Sequence, residues 1–230
     1  MIRFISLGPG AADMVTLGTL RFLRDAQKVY CFSVGESSRA ADIIAHLDID
    51  QSKVITVKIP MSHDREKANA VYDELASTIK KEHEAGMTIA VATEGDSGIF
   101  ATTHYVMDRL VEMGIKCEQI PGIPSFIAAA SIAGLHLVKL QERLLIIPGK
   151  TTAEEIINLT SEGYNLVIMK LSMAHEAISK AFHETKDLKF HYFENIGTTT
   201  QKYEILKEMP NNFPYFSLMI INRPTPKEAN

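Results

Sequence analysis

Three short segments bring glycine together with groups that could meet a ligand: Gly8-Pro9-Gly10-Ala11-Ala12, Glu94-Gly95-Asp96-Ser97-Gly98 and Pro121-Gly122-Ile123-Pro124. Each follows a short β-like run and precedes a helical pattern, so each reads as a loop from strand to helix. Loops of this kind lie at the carboxyl edge of a parallel sheet, where α/β folds bind small ligands. Glycine allows both the tight turn and a close approach of backbone to ligand. Gly8-Pro9-Gly10 lacks the third glycine of the dinucleotide fingerprint, and no loop ends in the Gly-Lys-Ser or Gly-Lys-Thr of a phosphate cradle. Pro9 also removes a backbone donor, which suits a phosphate poorly. A neutral or cationic ligand, held by shape and carbonyl groups, fits better. No His, Cys or carboxylate cluster has metal-ligand spacing, so no metal is expected.

Alternating elements must position these loops. Apolar periodicity predicts strands over 2–7, 28–32, 53–59, 88–93 and 116–120. Helices are predicted over 16–26, 37–46, 63–84, 102–113 and 125–133, with Gly86 and Gly114 closing the third and fourth. This alternation predicts a mainly parallel α/β domain over 1–134. The remainder, 135–230, is expected to form a smaller mixed α/β domain. Its strands are placed over 143–147, 165–171 and 189–194, its helices over 152–161 and 174–184. Further β-like material lies over 202–208 and 214–222, before a frayed end over 223–230. No internal repeat or low-complexity segment is evident.

The 230 residues suffice for one large or two modest domains. A net charge of −4 disfavours a broad nucleic-acid surface, and the absence of Trp removes one obvious base-stacking platform. No apolar run is long enough to span a membrane. The first six residues run straight into a strand pattern, so no secretory signal is expected. Cys31 and Cys117 lie in apolar runs without metal spacing and read as buried thiols of a cytoplasmic protein.

Taken in order, the loops resemble the tetrapyrrole methylase family. The resemblance rests on Gly8-Pro9-Gly10 with Thr16-Leu17, on Glu94-Gly95-Asp96, and on Pro121-Gly122-Ile123-Pro124-Ser125-Phe126 with its alanine-rich helix. It covers nearly the whole chain. It implies two α/β domains of the tetrapyrrole methylase type, an active site in the cleft between them, S-adenosyl-L-methionine as cofactor and a homodimer. Within the family, Ser37-Ser38-Arg39-Ala40, the stretch 142–149 and Val167-Ile168-Met169-Lys170 look most like methyltransferases acting at carbon-20 of precorrin-2 or cobalt-factor II. Such a tetrapyrrole substrate belongs to cobalamin biosynthesis. Two departures stand out. The family's Gly-Asp-Pro is Gly95-Asp96-Ser97 here, and its Gly-Pro-Gly-Asp-Pro is Gly8-Pro9-Gly10-Ala11-Ala12, with an acidic residue only at Asp13. Ala101-Thr102-Thr103-His104 resembles diphthine synthase instead, a relative that methylates a protein. A non-enzymatic sensor of the same cofactor is the third reading.

The resemblance implies cofactor contacts at Pro9, Glu94, Gly95, Asp96, Ile99, Ser125, Met169 and Gly197. Asp96 could orient the ammonium or sulfonium charge or cap the following segment; both roles are compatible. Ser125 could likewise be a cap, Met169 a core strand residue and Gly197 a turn glycine. A substrate carrying many carboxylates needs cations, arginine above all. Lys170, Arg39 and Arg143 are the foremost candidates, with Lys139, Lys150 and His191 behind them; His104 reads as a helix-surface residue. Methyl transfer from a sulfonium needs orientation and exclusion of water rather than a protein nucleophile, so no catalytic residue is assigned.

Overall fold

The computed structural model describes residues 1–35, 37–60 and 65–224. The chain divides into two compact units, Met1–Ser125 and Phe126–Asn230. The division falls at the first turn of a helix, ahead of the 134/135 boundary expected from the sequence.

The first unit runs β1 (Ile2–Ser6), α1 (Leu17–Asp25), β2 (Lys28–Val34), α2 (Arg39–Ala45), β3 (Val54–Ile59), α3 (Arg65–Glu84), β4 (Ile89–Thr93), α4 (His104–Glu112) and β5 (Cys117–Ile120). Its five strands are all parallel, in the order β3-β2-β4-β1-β5. Side-chain alternation along each strand separates two cores. Ile2 and Phe4 of β1, with Ile89 and Val91 of β4, pack with Tyr72, Leu75 and Ile79 of α3 and Val106 and Leu110 of α4. Ile5, Ala90 and Ala92 point the other way, onto Phe22 and Leu23 of α1 and Ile43 and Ile44 of α2. Helices therefore cover both faces, and the strands read as near-continuous apolar runs, as fully covered parallel sheets require. The chain leaves β1 towards β2 by a helix on one face. It leaves β4 towards β5 by a helix on the other. The adjacent carboxyl ends of β1 and β4 are thus a topological switch point.

Local caps fix where the helices begin. Thr16 accepts the amide of Thr19 at 3.2 Å and starts α1. Ser38 accepts the amide of Ala41 at 3.3 Å and donates to the Phe32 carbonyl at 2.7 Å, which pins the first turn of α2 to the end of β2. The expected start of the third helix, at His63, lies outside the described residues. Cys31 is buried, and burial pushes its thiol up to about 12; Cys117 is only half-buried, and its thiol is pushed up to about 11.

The second unit runs α5 (Ser125–Ile132, begun by the last residue of the first unit), β6 (Arg143–Ile147), α6 (Ala153–Ser161), β7 (Tyr164–Met169), α7 (His175–Glu184), β8 (Lys189–Glu194), β9 (Lys202–Ile205) and β10 (Ser217–Asn222). Its sheet has the order β6-β7-β10-β8-β9; only β6 and β7 pair parallel. One face, with Ile147, Leu166, Ile168, Phe190, Tyr192, Met219 and Ile221, packs on Ile156 of α6 and Ile178 and Ala181 of α7. The strand expected over 165–171 ends at Met169, because Lys170 turns into the left-handed region at φ 55°. Among the described residues, no helix is long and apolar enough to cross a membrane. No group of three His, Cys, Asp or Glu side chains among them could hold a metal ion.

Candidate functional site

Beyond β1 and β4 the parallel pairing gives way to a two-bond bridge between glycines. The Gly8 amide donates to the Gly95 carbonyl at 3.1 Å, and the Gly95 amide to the Gly8 carbonyl at 2.7 Å. Gly8 lies at φ +75°, and a Cβ there would stand 2.8 Å from the Met14 carbonyl oxygen. The third loop is drawn in as closely. A Cβ on Gly122 would lie 2.5 Å from the Ser6 Cβ and 2.9 Å from the Gly95 oxygen, so only glycine fits. Ser6 is fully buried; its hydroxyl oxygen accepts the Ser97 amide at 2.8 Å, and its carbonyl accepts the Thr19 hydroxyl at 3.0 Å.

Asp96 spans two loops. Its Oδ1 accepts the Gly98 amide at 2.8 Å, closing an Asx turn, and its Oδ2 accepts the Gly122 amide at 2.7 Å. The helix that follows begins only at His104, with Thr103 at its N-cap position, so Asp96 caps the turn and not α4. Ser125 occupies the first helical position of α5.

Gly95 is half-buried at this pad. It lies at φ +73°, and the space where a Cβ would stand holds nothing within 4 Å. Backbone at this point can be approached closely in a way that a side chain would prevent. Pro9 is buried beside the bridge, while Ile99 is half-buried and its amide donates to the Asp96 carbonyl at 3.1 Å.

Glu94 and Arg39, expected separately from the sequence, form one ion pair at 3.0 Å, with a quarter or less of either side chain exposed. Burial holds the Glu94 carboxyl above the usual carboxylate range, and the Arg39 charge and hydrogen bond offset part of that rise. A carboxyl raised on folding contributes most to stability below the unfolded glutamate range, and the contribution is lost as pH rises through the folded value. Arg39→Met removes the offset, so its extra cost is confined to the higher pH. Urea midpoints should show the variant destabilised by about 1–2 kcal/mol more near pH 7.5 than near pH 5. An equal loss at both would detach the pair from Glu94 ionisation.

In the second unit, strand polarity sorts the remaining candidates. β6, β7 and β8 run the same way, so their carboxyl ends share one edge. Met169 and Lys170 close β7 there, and Asn195 and Gly197 follow β8 at φ 50° and 76°. Lys150 follows β6 on the same edge. Gly149 packs under β7: a Cβ on it would lie 2.8 Å from the Lys170 oxygen and 2.9 Å from the Met169 oxygen. Arg143 is the first residue of β6, where it donates to the Tyr164 hydroxyl at 3.2 Å and lies over that ring. It therefore stands a strand length away from Met169 and Lys170, roughly 20 Å at ~3.3 Å per residue. A cavity of about 380 Å³ opens at this amino edge beside Tyr164 and Asn165. The Glu142 carboxylate on its wall already accepts from Asn165 and from the Lys139 amide. His191 is buried inside β8, with its ring nitrogens 3.0 Å from the Tyr203 hydroxyl and 3.2 Å from Asn222 Oδ1. His104 opens α4 and is half-buried. Ser6, Gly149 and Asn195 were not singled out in the sequence. A proline-glycine pair after a strand, as at Pro148-Gly149, was the available signal for one of them.

A switch point of this kind, with glycine backbone at its edge, is where α/β folds bind small ligands. The family model of tetrapyrrole (corrin/porphyrin) methylases matches residues 1–209, and the chain belongs to that family. It is a methyltransferase that takes its methyl group from S-adenosyl-L-methionine. A cobalt-precorrin-2 C(20)-methyltransferase of Salmonella typhimurium is 28% identical over 229 residues, covering 95% of this chain and 94% of its own. Among solved structures, a cobalt precorrin-4 methyltransferase superposes with a TM-score of 0.76 at 17% identity, over 96% of this chain and 94% of its own. A uroporphyrin-III C-methyltransferase from Thermus thermophilus, solved with S-adenosyl homocysteine, gives 0.62 at 17% identity over 96% of both chains.

Proposed function

We propose that this protein methylates carbon-20 of precorrin-2 or cobalt-factor II in cobalamin biosynthesis. The open backbone face of Gly95 at the switch point carries the donor half of the reading. The full-length similarity to a carbon-20 methyltransferase supports the acceptor half. When bound, the sulfonium supplies an already activated methyl group to an electron-rich ring carbon, which then gives up its proton. The residues of the chain orient and enclose. Pro9, Glu94, Gly95, Asp96, Ile99 and Ser125 are the proposed donor contacts in the first unit; Met169 and Gly197 are proposed separately, as ligand contacts at the carboxyl edge of the second. Lys170 and Arg39 are proposed for ring carboxylates, Arg39 while braced by Glu94. Arg143, at the far edge of its sheet, is left without a part. Any cobalt belongs to the ring, not to the protein.

Incubation with S-adenosyl-L-methionine and each ring in turn tests this. The expected result is one equivalent of S-adenosylhomocysteine and a product one methyl group heavier, labelled at carbon-20 by carbon-13 resonance. Methylation at another ring position would move the protein to a sister activity. Cofactor binding without turnover on any ring would leave a sensor. We also propose a homodimer working in the cytoplasm, a two-fold pair being the commonest closed assembly. Light scattering at micromolar concentration should return twice the chain's 25.5 kDa, and a monomeric mass would refute the pairing.

A further inference from the structure

We infer that Asp96 is a positioning residue, which acts by clamping two ligand-binding loops together and not by its charge on the bound sulfonium. The inference rests on the reading of this edge as the donor site. Two oxygens of one carboxylate receive two backbone amides from different loops, Gly98 at 2.8 Å and Gly122 at 2.7 Å. Both bonds involve an ionised acceptor, the stronger class of hydrogen bond. Each carboxylate oxygen thus already holds one backbone amide before any ligand arrives.

The clamp works because its target cannot move far. Gly122 is seated against the Ser6 Cβ and the Gly95 oxygen, closely enough that a Cβ on it would overlap both. Holding the Gly122 amide therefore fixes the third loop against the backbone of Gly95, the residue with the open face. Ser6 makes a second tie of the same sense, through the Ser97 amide at 2.8 Å. Three loops from distant parts of the chain become one pre-organised surface, and binding need not spend free energy ordering them. The arrangement also bears on the missing proline. Where the family has Gly-Asp-Pro, Ser97 supplies an amide that proline lacks, and Ser6 accepts it. The tie to β1 thus makes up for lost ring stiffness.

The test uses the ligand-free protein first. In the labelled wild type, a scalar coupling through the hydrogen bond should connect the Gly122 amide nitrogen to the Asp96 carboxyl carbon. In Asp96→Asn one acceptor oxygen becomes an NH2 group, so the Gly98 or Gly122 amide loses its partner and both resonances should move while core amides stay. The melting temperature should change little, since the core is untouched. Calorimetry should then show affinity for S-adenosylmethionine and for S-adenosylhomocysteine reduced alike, by about tenfold. Ser6→Ala, which leaves the carboxylate intact, should produce a smaller loss with the same equal ratio. Loss confined to the sulfonium ligand, or a Gly122 amide that neither couples nor shifts, would overturn the inference. Should Asp96→Asn not fold, the wild-type coupling and the Ser6→Ala ratio decide it. Wild-type protein that binds neither ligand would instead overturn the donor site, leaving the coupling to judge the clamp alone.

Discussion

Gly95→Val should abolish binding of S-adenosylmethionine, by a hundredfold or more (~3 kcal/mol), while the protein still melts in one cooperative transition. The space above this glycine is empty of protein, so the new side chain meets no wall of the fold. It enters the volume proposed for the ligand. The folded state pays only the local strain of a β-branched residue at φ +73°, about 1–3 kcal/mol. Gly95→Ala carries most of that strain with a smaller intrusion, so it should lose about as much stability and far less affinity. Comparing the two by calorimetry and thermal melting separates strain from obstruction. Affinity retained in the valine variant would remove this loop from the site.

Gly149→Ala should act in the opposite manner, through the fold. Its Cβ would press on both carbonyl oxygens at the end of β7, at 2.8 and 2.9 Å, from a residue at φ +96°. Strain and overpacking together should cost about 2–4 kcal/mol, read as a lowered urea midpoint. Relief of the clash has to displace Met169 and Lys170, the latter already left-handed at φ 55°. Turnover with the ring substrate should therefore fall by about ten- to a hundredfold under conditions where the variant is fully folded, with donor affinity less affected. A variant as active as the wild type would show that the end of β7 does not position substrate.

Much of this organisation was legible in the residues. Continuous apolar runs marked β1, β2 and β4, and glycine followed the strands at the edge proposed for the ligand. The order of the strands was not legible, because periodicity reports which residues are buried and not which strand they pair with. So the adjacency of Gly8 to Gly95, and of Gly122 to Ser6, emerged only from the sheet. Asp96 illustrates the limit further: the cap reading gave it one segment and the charge reading a ligand, whereas its carboxylate joins two loops. Arg143 is a different case. Its residue type suited a carboxylate substrate, but its place at the start of a strand put it on the edge away from Met169 and Lys170. Composition carries no polarity; position along the strand does.

The central place of β4 has a consequence for how the molecule comes into being. β4 seats itself between β1 and β2, which are already far behind it in the chain, so the gap between them stays open until most of the first unit has been made. Such late, non-local pairing is the slow part of folding. The bridge from Gly8 to Gly95 forms only when that insertion is complete. A ligand that binds at this edge would therefore stabilise only molecules in which β4 is already in place.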